Sequence, residues 1–183
     1  TLKPGRTIFT TTRFGNVLGS RGSVVPIFAQ QIKQGGPLTV TSTEMTRFVM
    51  TLTDAIDLVL KCGEISQGGE IFVPKIPSYR VTQLAEAIGP NCRQEIVGMR
   101  PGEKIHEEMI TVSDGPSTMD LGAYFALLPP LDTGVIESYR KGQSAKFIEP
   151  GFSYNSRENP QFLSVEEIRM LIRKHVDSQF EPI

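Results

Sequence analysis

A glycine-rich stretch at residues 13–26 constrains the fold of this chain most, because it separates two segments of different periodicity. The stretch is Arg-Phe-Gly-Asn-Val-Leu-Gly-Ser-Arg-Gly-Ser-Val-Val-Pro. The β-branched run at residues 7–12 predicts a strand, and the apolar spacing of residues 24–33 predicts a helix. A glycine-rich loop between a buried strand and a helix suits the binding of a phosphate or a sugar. A plain structural turn is the alternative interpretation.

Strand and helix patterns alternate along the rest of the chain, and this alternation predicts an α/β fold. The polar, proline-containing segment at residues 129–157 predicts a loop. Ser164 and Glu167 form a capping-box pattern that predicts the start of the last helix. The predicted strands are residues 7–12, 38–41, 47–51, 70–74, 95–99 and 124–128, and the predicted helices are residues 24–33, 54–64, 82–88, 102–110 and 165–175.

Two of these helices carry specific burial predictions. In the helix at residues 54–64, Ile56, Val59 and Leu60 are expected to form the buried stripe. In the helix at residues 102–110, the predicted inward-facing residues are Ile105, Met109 and Ile110.

Composition excludes several classes of partner. The net charge of −1 lacks the basic excess of a nucleic-acid surface. No apolar run approaches the roughly 20 residues that a membrane helix needs, and residues 1–6 have no signal-peptide core, so a cytoplasmic protein without membrane contact is expected. Because the chain starts without methionine and almost at once with a strand typical of a sheet interior, it is expected to be a piece of something longer.

The cysteine and histidine residues do not indicate a metal site. Cys62 lies in an apolar helix pattern and Cys92 in a polar loop, without Cys-x-x-Cys spacing, so a buried thiol and an incidental thiol are expected. His106 and His175 have no partner at ligand spacing.

The segment Arg-Pro-Gly-Glu at residues 100–103 follows a predicted strand, at the kind of sheet edge where open α/β folds bind ligands. The guanidinium group of Arg100 suits a diphosphate, since it donates two charge-assisted hydrogen bonds at once. Glu103 suits a pair of vicinal hydroxyls, such as a ribose diol. The alternative is an ion pair between Arg100 and Glu103 across the turn.

Two further arginines follow the same pattern of strand-to-loop junctions. Arg21 and Arg47, together with Arg100, fit one anionic ligand better than three unrelated surface pairs. For Arg47 the alternative is an ion pair with Glu44 or Asp54, which would stabilise the fold by only about 0 to 1 kcal/mol.

Several catalytic motifs are absent from this sequence. It has no Gly-x-Gly-x-x-Gly fingerprint, no Walker loop, no Gly-x-Ser-x-Gly elbow and no Tyr-x-x-x-Lys pair. A chain with phosphate-binding features but without a general acid, a general base or a cofactor fingerprint is expected to hold only part of an active site.

At these residues the chain resembles the C-terminal half of an extended short-chain dehydrogenase/reductase that acts on nucleotide sugars. It is most similar to the inverting UDP-N-acetylglucosamine 4,6-dehydratases. The tail Phe-Ser-Tyr-Asn-Ser at residues 152–156 and Gln-Phe-Leu at residues 161–163 resemble that family more weakly. The stretches that carry the resemblance are residues 13–26, Met-Thr-Arg-Phe at 45–48, Gly-Glu-Ile-Phe-Val-Pro-Lys-Ile-Pro at 69–77 and Gly-Met-Arg-Pro-Gly-Glu-Lys-Ile-His-Glu at 98–107.

The resemblance implies a fold, a domain division and a set of site residues. The implied fold is the C-terminal part of a Rossmann-type domain with a smaller α/β region that binds substrate. Residues 1–37 would end the Rossmann-type domain and form the loop for NADP and substrate. Residues 38–183 would mainly bind the UDP-sugar, with some segments returning to the Rossmann-type domain. The implied contacts to NADP are Val17, Leu18, Gly19, Ser20 and Arg21, and those to the UDP-sugar are Asn16, Val24, Thr41, Arg47, Arg100 and Glu103.

The resemblance also implies a reaction, that of a lyase. A hydride moves from sugar C4 to NADP, water is lost across C5 and C6, the hydride returns to C6, and protonation on the opposite face inverts C5. The cofactor fingerprint and the acid and base would lie in an N-terminal half, so this 183-residue chain is expected to be inactive alone. The implied protein is a homo-oligomer that serves bacterial surface or flagellar glycans of the pseudaminic acid type.

Two kinds of alternative remain open at the level of sequence. A 5-epimerising dehydratase or a 4-epimerase would share the same nucleotide-binding residues. A nucleotide-sugar-binding module without catalysis would share them too. The residue that selects NADP over NAD would lie outside this chain.

Overall fold

A computed structural model describes residues 7–129, 133–143 and 145–183 of the chain. The helices are α1 (Val24–Lys33), α2 (Leu52–Ile65), α3 (Val81–Ile88), α4 (Thr133–Gln143) and α5 (Val165–His175). The strands are β1 (Thr11–Thr12), β2 (Asn16–Val17), β3 (Leu38–Val40), β4 (Thr46–Met50), β5 (Ile71–Pro74), β6 (Ser78–Arg80), β7 (Gln94–Ile96), β8 (Glu108–Ile110), β9 (Thr118–Asp120), β10 (Tyr124–Leu127), β11 (Lys146–Phe147) and β12 (Tyr154–Asn155).

The chain forms two compact units, each built from segments that are distant in sequence. The first unit contains the described parts of residues 1–14, 53–75 and 108–154. The second contains residues 15–52, 76–107 and 155–183. The predicted boundary after residue 37 concerns the Rossmann-type domain of a longer protein and stays a prediction.

The first unit is organised around a sheet in the order β1-β5-β10-β9-β11. β1 pairs with β5 in parallel, and the remaining neighbours are antiparallel. The apolar run of β5 fits this position because Phe72 and Val73 are fully buried. Beside them, the buried carboxylate of Glu70 accepts hydrogen bonds from the backbone amides of Gln67 and Gly68.

The second unit combines three helices with two small sheets. β2 pairs in parallel with β4, β4 pairs antiparallel with β6, and β3 pairs in parallel with β7. Helices α1, α3 and α5 supply much of the apolar core of this unit, including Phe28, Leu84 and Ile172. This core places the start of α1 and the ends of β2, β3 and β4 around one cavity.

The α/β class predicted from the sequence is confirmed, and elements with strong local signals are found where they were predicted. α1 begins and ends at the predicted residues, and Ser23 occupies its N-cap position. α5 begins after Ser164, whose hydroxyl accepts a hydrogen bond from the backbone amide of Glu167 at 3.3 Å. The carboxylate of Glu167 in turn accepts from the backbone amide of Ser164 at 2.7 Å, which completes the capping box.

The prediction for the buried face of α2 was wrong. Ile56, Val59 and Leu60 are 50%, 50% and 63% exposed, whereas Ala55, Leu58 and Cys62 are buried. Both faces of this helix are apolar, so the periodicity alone did not distinguish the buried face from the exposed one.

The predicted helix at residues 102–110 was also wrong. The segment ends in the strand β8, and Ile105 is 39% exposed, whereas Met109 and Ile110 are buried as predicted. Its carbonyl groups bond to distant parts of the chain instead of to a helix: Ile105 accepts from the amide of Thr46, and Glu107 accepts from the amide of Ser156. Long-range backbone pairing thus replaced the local helical hydrogen bonds.

The remaining differences concern strand lengths and the predicted loop at residues 129–157. Of the predicted strand at residues 7–12, only Thr11–Thr12 forms β1, and the burial expected of this strand is not found, since Ile8 and Phe9 are exposed. The predicted loop contains the helix α4 and the strands β11 and β12. Residues 1–6, in which no signal-peptide core was found, lie outside the described residues, as do residues 130–132 and 144 of the predicted loop. Among the helices described, none combines the length and the apolar character that crossing a membrane requires.

Cys62 is expected to resist alkylation in the folded chain. The thiol is buried, and burial together with the negative charge of Glu70 raises its pKa to about 11. At pH 8 only about one thiol in 1,000 would be ionised, and the thiolate is the reactive form. Treating the folded chain with iodoacetamide at pH 8 and mapping the modified peptides by mass spectrometry should therefore label the half-buried Cys92 well before Cys62. Equal rates at the two cysteines would contradict this expectation, and urea should make both react.

Candidate functional site

A cavity of about 290 Å³ lies within the second unit. The loop that follows β2 forms one wall, and the first residues of α1 form another. Thr39 and Thr41, at β3, and Arg100 and Glu103, in the loop after β7, contribute further polar side chains. The cavity is thus built from segments that begin at the ends of several short strands, as expected for a binding site in an α/β fold.

Two glycines make the first wall of this cavity possible. A Cβ atom at Gly15 would lie 2.7 Å from the Cβ atom of Phe48, so only glycine permits this close approach to β4. Gly19 has a φ of +73°, and a Cβ atom there would lie 2.6 Å from the side chain of Val176. Gly15 is therefore required for close packing, and Gly19 is required for both its backbone conformation and its packing.

All but one of the site residues predicted from the sequence lie at this cavity. The exception is Arg21, which is exposed and is not part of the lining. The predicted residues that line the cavity are Asn16, Val17, Leu18, Gly19, Ser20, Val24, Thr41, Arg47, Arg100 and Glu103.

The two arginines of the cavity differ in their contacts. Within the described residues, the guanidinium group of Arg100 makes no ion pair, and the predicted alternative of an Arg100–Glu103 ion pair is not found. Instead, the carboxylate of Glu103 accepts a hydrogen bond from the backbone amide of Arg100 at 3.3 Å. Arg100 therefore offers an uncompensated positive charge to a ligand.

Arg47 is held by neighbouring groups and is largely buried. Its guanidinium nitrogens lie 3.8 Å from Glu103 and 3.7 Å from Glu107, and its side chain is only 16% exposed. It also donates to the carbonyl groups of Thr46 at 2.8 Å and Ile105 at 3.0 Å. These partners differ from Glu44 and Asp54, the alternatives considered from the sequence. Arg47 therefore joins the Arg100–Glu107 segment to β4.

The N-terminus of α1 adds a second feature that favours an anion. Ser23, Val24 and Val25 line the cavity at the first turn of this ten-residue helix. The Ser23 hydroxyl is buried and, within the described residues, has no hydrogen-bond partner. Helix N-termini carry free amide groups and a partial positive charge, which favour bound phosphates. An unpaired hydroxyl at this position is a donor available to a ligand.

Two polar groups of this region have shifted pKa values. Burial, with a smaller contribution from the charge of Glu107, raises the pKa of Tyr79 well above its ordinary value. Burial and the nearby Arg157 lower the pKa of His106, whose Nδ1 lies 2.8 Å from the Thr46 hydroxyl. Both groups are therefore uncharged near pH 7. In the described part of the chain, no group of three or more histidine, cysteine, aspartate or glutamate residues is arranged to hold a metal ion.

Three polar residues of this region were missing from the sequence-based site. Ser23 was not assigned to the site, although its place directly before an apolar helix could have suggested a phosphate contact. Tyr79 and Glu107 gave no such signal, because their positions beside the cavity depend on β6 and on the segment before β8.

One wall of the cavity has features that suit a nicotinamide cofactor. Val17 to Ser20 provide backbone groups and short or apolar side chains along one wall, and the cations among the described lining residues are Arg47 and Arg100. This wall fits an amide-bearing ring better than a cofactor diphosphate, which needs donors or positive charge.

The chain is similar to known proteins over most of its length. The sequence profile described as polysaccharide biosynthesis protein matches residues 1–129. A UDP-N-acetylglucosamine 4,6-dehydratase (inverting) from Campylobacter jejuni is 44% identical over 172 residues, which cover 91% of this chain and 52% of that protein. The similarity to inverting dehydratases predicted from the motifs is confirmed.

Other similar proteins include an epimerase and a protein of known structure. A UDP-glucose 4-epimerase from Rickettsia akari is 37% identical over 92% of this chain and 50% of its own length. The X-ray structure of Pen from Bacillus thuringiensis matches with a TM-score of 0.78 and 37% identity, over 91% of this chain and 50% of that one. The chain thus spans about half the length of the relatives that it matches.

Proposed function

Because the chain belongs to the polysaccharide biosynthesis protein family, we propose that its protein is an NADP-dependent lyase that dehydrates UDP-N-acetylglucosamine to a 4-keto-6-deoxy sugar with inversion at C5. In this proposal the 183-residue chain is the C-terminal part that binds the nucleotide sugar, and it does not turn over substrate alone. The product would enter bacterial surface or flagellar glycans of the pseudaminic acid type, and the protein would be a cytoplasmic homo-oligomer.

The observation that supports this proposal most strongly is the convergence of donors on one cavity. The unpaired guanidinium of Arg100, the buried Ser23 hydroxyl and the first turn of α1 all belong to its lining. Together they suit the diphosphate of a UDP-sugar, which carries negative charge and many acceptor oxygens.

The residues proposed to contact the sugar nucleotide receive roles that follow from their chemistry. Arg100 neutralises the diphosphate, and Glu103 accepts hydrogen bonds from the uridine ribose. Asn16 and Thr41 orient the sugar nucleotide through hydrogen bonds, while Val24 contacts it along the first turn of α1. Arg47 supports the site, since it holds Glu103 and Glu107 in place.

Val17 to Ser20, with Arg21 beside them, form the proposed contact to the nicotinamide end of NADP. When bound, NADP supplies the acceptor for the hydride from sugar C4 and its return to C6. The chain's own residues hold the sugar nucleotide in one orientation, which determines the sugar carbon that faces the nicotinamide wall.

The test uses protein expressed from the complete coding sequence. UDP-N-acetylglucosamine is incubated with it in heavy water, and the sugar is followed by mass spectrometry and proton NMR. The expected result is loss of one water, solvent deuterium at C5 and an inverted C5 configuration. Retention of the C5 configuration would contradict the inverting reaction. An unchanged sugar together with measurable UDP binding would indicate a binding module without catalysis.

A second candidate function is 4-epimerisation of a UDP-sugar, which the similarity to the Rickettsia akari UDP-glucose 4-epimerase favours. The same experiment separates the two activities. An epimerase yields a C4 epimer whose mass is unchanged apart from any exchange of hydrogen for solvent deuterium. A dehydratase yields a product that is lighter by one water.

A further inference from the structure

The side-chain amide of Asn16 has a fixed orientation at the cavity wall. Its Nδ2 atom lies 3.1 Å from the backbone carbonyl oxygen of Phe48 and 3.1 Å from both carboxylate oxygens of Glu107. All of these oxygens accept hydrogen bonds, so the amide nitrogen must face them. The opposite orientation would place Oδ1 against a carboxylate and a carbonyl, and like-polarity contacts of this kind are unfavourable.

Glu107 is itself held in place from three sides. The backbone amide of Phe48 donates to its Oε2 atom at 3.1 Å, and its own backbone amide donates to the Ser156 hydroxyl oxygen at 2.9 Å. Arg47 lies 3.7 Å from its Oε1 atom. The carboxylate is therefore an acceptor held beside Asn16, and of these two residues only Asn16 lines the cavity.

We propose that Glu107 is a positioning residue that presents Asn16 Oδ1 to the cavity as a hydrogen-bond acceptor. The ligand group at this position is then a donor, namely a hydroxyl or an N–H group of the sugar nucleotide, and not a phosphate oxygen. This inference rests on the proposed function, because it states which partner donates and which accepts in one hydrogen bond of the proposed UDP-sugar site.

The physical reason lies in the protonation of the ligand. A diphosphate at neutral pH offers acceptor oxygens and carries no proton that Asn16 Oδ1 could accept. Within the described residues, Oδ1 has no hydrogen-bond partner, whereas both Nδ2 hydrogens have acceptors in range. The diphosphate is left to Arg100 and to the first turn of α1, and Asn16 recognises a different part of the ligand.

The first test compares two probes on protein from the complete coding sequence. Asn16→Ala is expected to weaken binding of UDP-N-acetylglucosamine about tenfold, as loss of one hydrogen bond predicts. The same variant should leave inhibition of that binding by P1,P2-dimethyl diphosphate unchanged, since this diphosphate diester carries no proton to donate at neutral pH. Equal weakening of both probes would overturn the assignment. Arg100→Ala is the matched comparison and should weaken both.

The second test isolates the positioning role of Glu107. Asn16→Asp retains an acceptor oxygen but places a carboxylate against that of Glu107, so binding should fall about 100-fold. Adding Glu107→Gln restores a donor–acceptor contact, because the new amide can donate to position 16 and still accept from the backbone amide of Phe48. The double variant is expected to recover to within about tenfold of the parent protein.

Failure to recover would overturn the positioning role, provided that circular dichroism shows the single and double variants to be equally folded. If Glu107 had a purely structural role, adding Glu107→Gln to Asn16→Asp would weaken UDP-sugar binding further, by at least the effect of Glu107→Gln alone. If the parent protein binds no UDP-sugar, the proposed function fails. If it binds but neither test shows the expected pattern, only this inference fails.

Discussion

Replacing Arg100 with alanine is expected to weaken binding of UDP-N-acetylglucosamine about 100-fold, the largest loss predicted for the truncation of a single site residue to alanine. The reason is that this guanidinium makes no ion pair within the described residues, so its full charge and its paired donors are available to a diphosphate. Because it contributes no ion pair to the fold, removing it should leave the thermal unfolding temperature almost unchanged. Isothermal titration calorimetry on protein from the complete coding sequence measures the binding loss.

Two further variants sharpen this prediction. Arg100→Lys keeps the charge but not the planar fork, so its affinity is expected to lie between those of the parent protein and the alanine variant. Arg93→Ala is the control, since Arg93 is exposed, pairs with Glu95 and does not line the cavity. A loss below about threefold for Arg100→Ala would contradict a diphosphate contact at this residue.

Replacing Phe72 with alanine is expected to lower the free energy of unfolding of the 183-residue chain by about 3 to 5 kcal/mol. Phe72 is fully buried in β5, between β1 and β10, and its ring meets that of Tyr139 edge-on with centroids 6.5 Å apart. Truncation removes this contact and leaves a cavity in the core of the first unit. Urea unfolding followed by circular dichroism measures the change, since the chain has no tryptophan.

Phe9→Ala is the matched control for this substitution. It removes the same side chain from the same unit at a position that is 67% exposed, so a change within about 0.5 kcal/mol is expected. Equal effects of the two substitutions would show that the first unit is not built around β5. A loss below about 1.5 kcal/mol for Phe72→Ala would lead to the same conclusion.

Much of the candidate site was predictable because its residues cluster in sequence. Gly15 to Val24 form one continuous loop and helix start, and Arg100 to Glu103 form one turn, so local patterns identified both segments. The sequence pattern did not indicate which of the charged side chains form ion pairs in the folded chain. Arg100 and Arg47 have similar sequence contexts, yet only Arg47 pairs with Glu103 and Glu107.

The sequence alone determined the elements whose signals are local. The helices α1 and α5 follow from their apolar periodicity and from the serines at their N-caps, and β5 follows from a short apolar run between turn residues. Such signals arise from backbone and side-chain interactions within a few residues, so they can be recognised in a single sequence.

Only the tertiary structure decided the features that depend on partners far along the chain. It selected Ala55, Leu58 and Cys62 as the buried face of α2, although the opposite face is equally apolar. It also placed the Glu107 carboxylate against Asn16 and Phe48, which lie 91 and 59 residues away in sequence. Spacing within a segment does not encode such contacts, because they form only when the sheets and helices of a unit bring distant segments together.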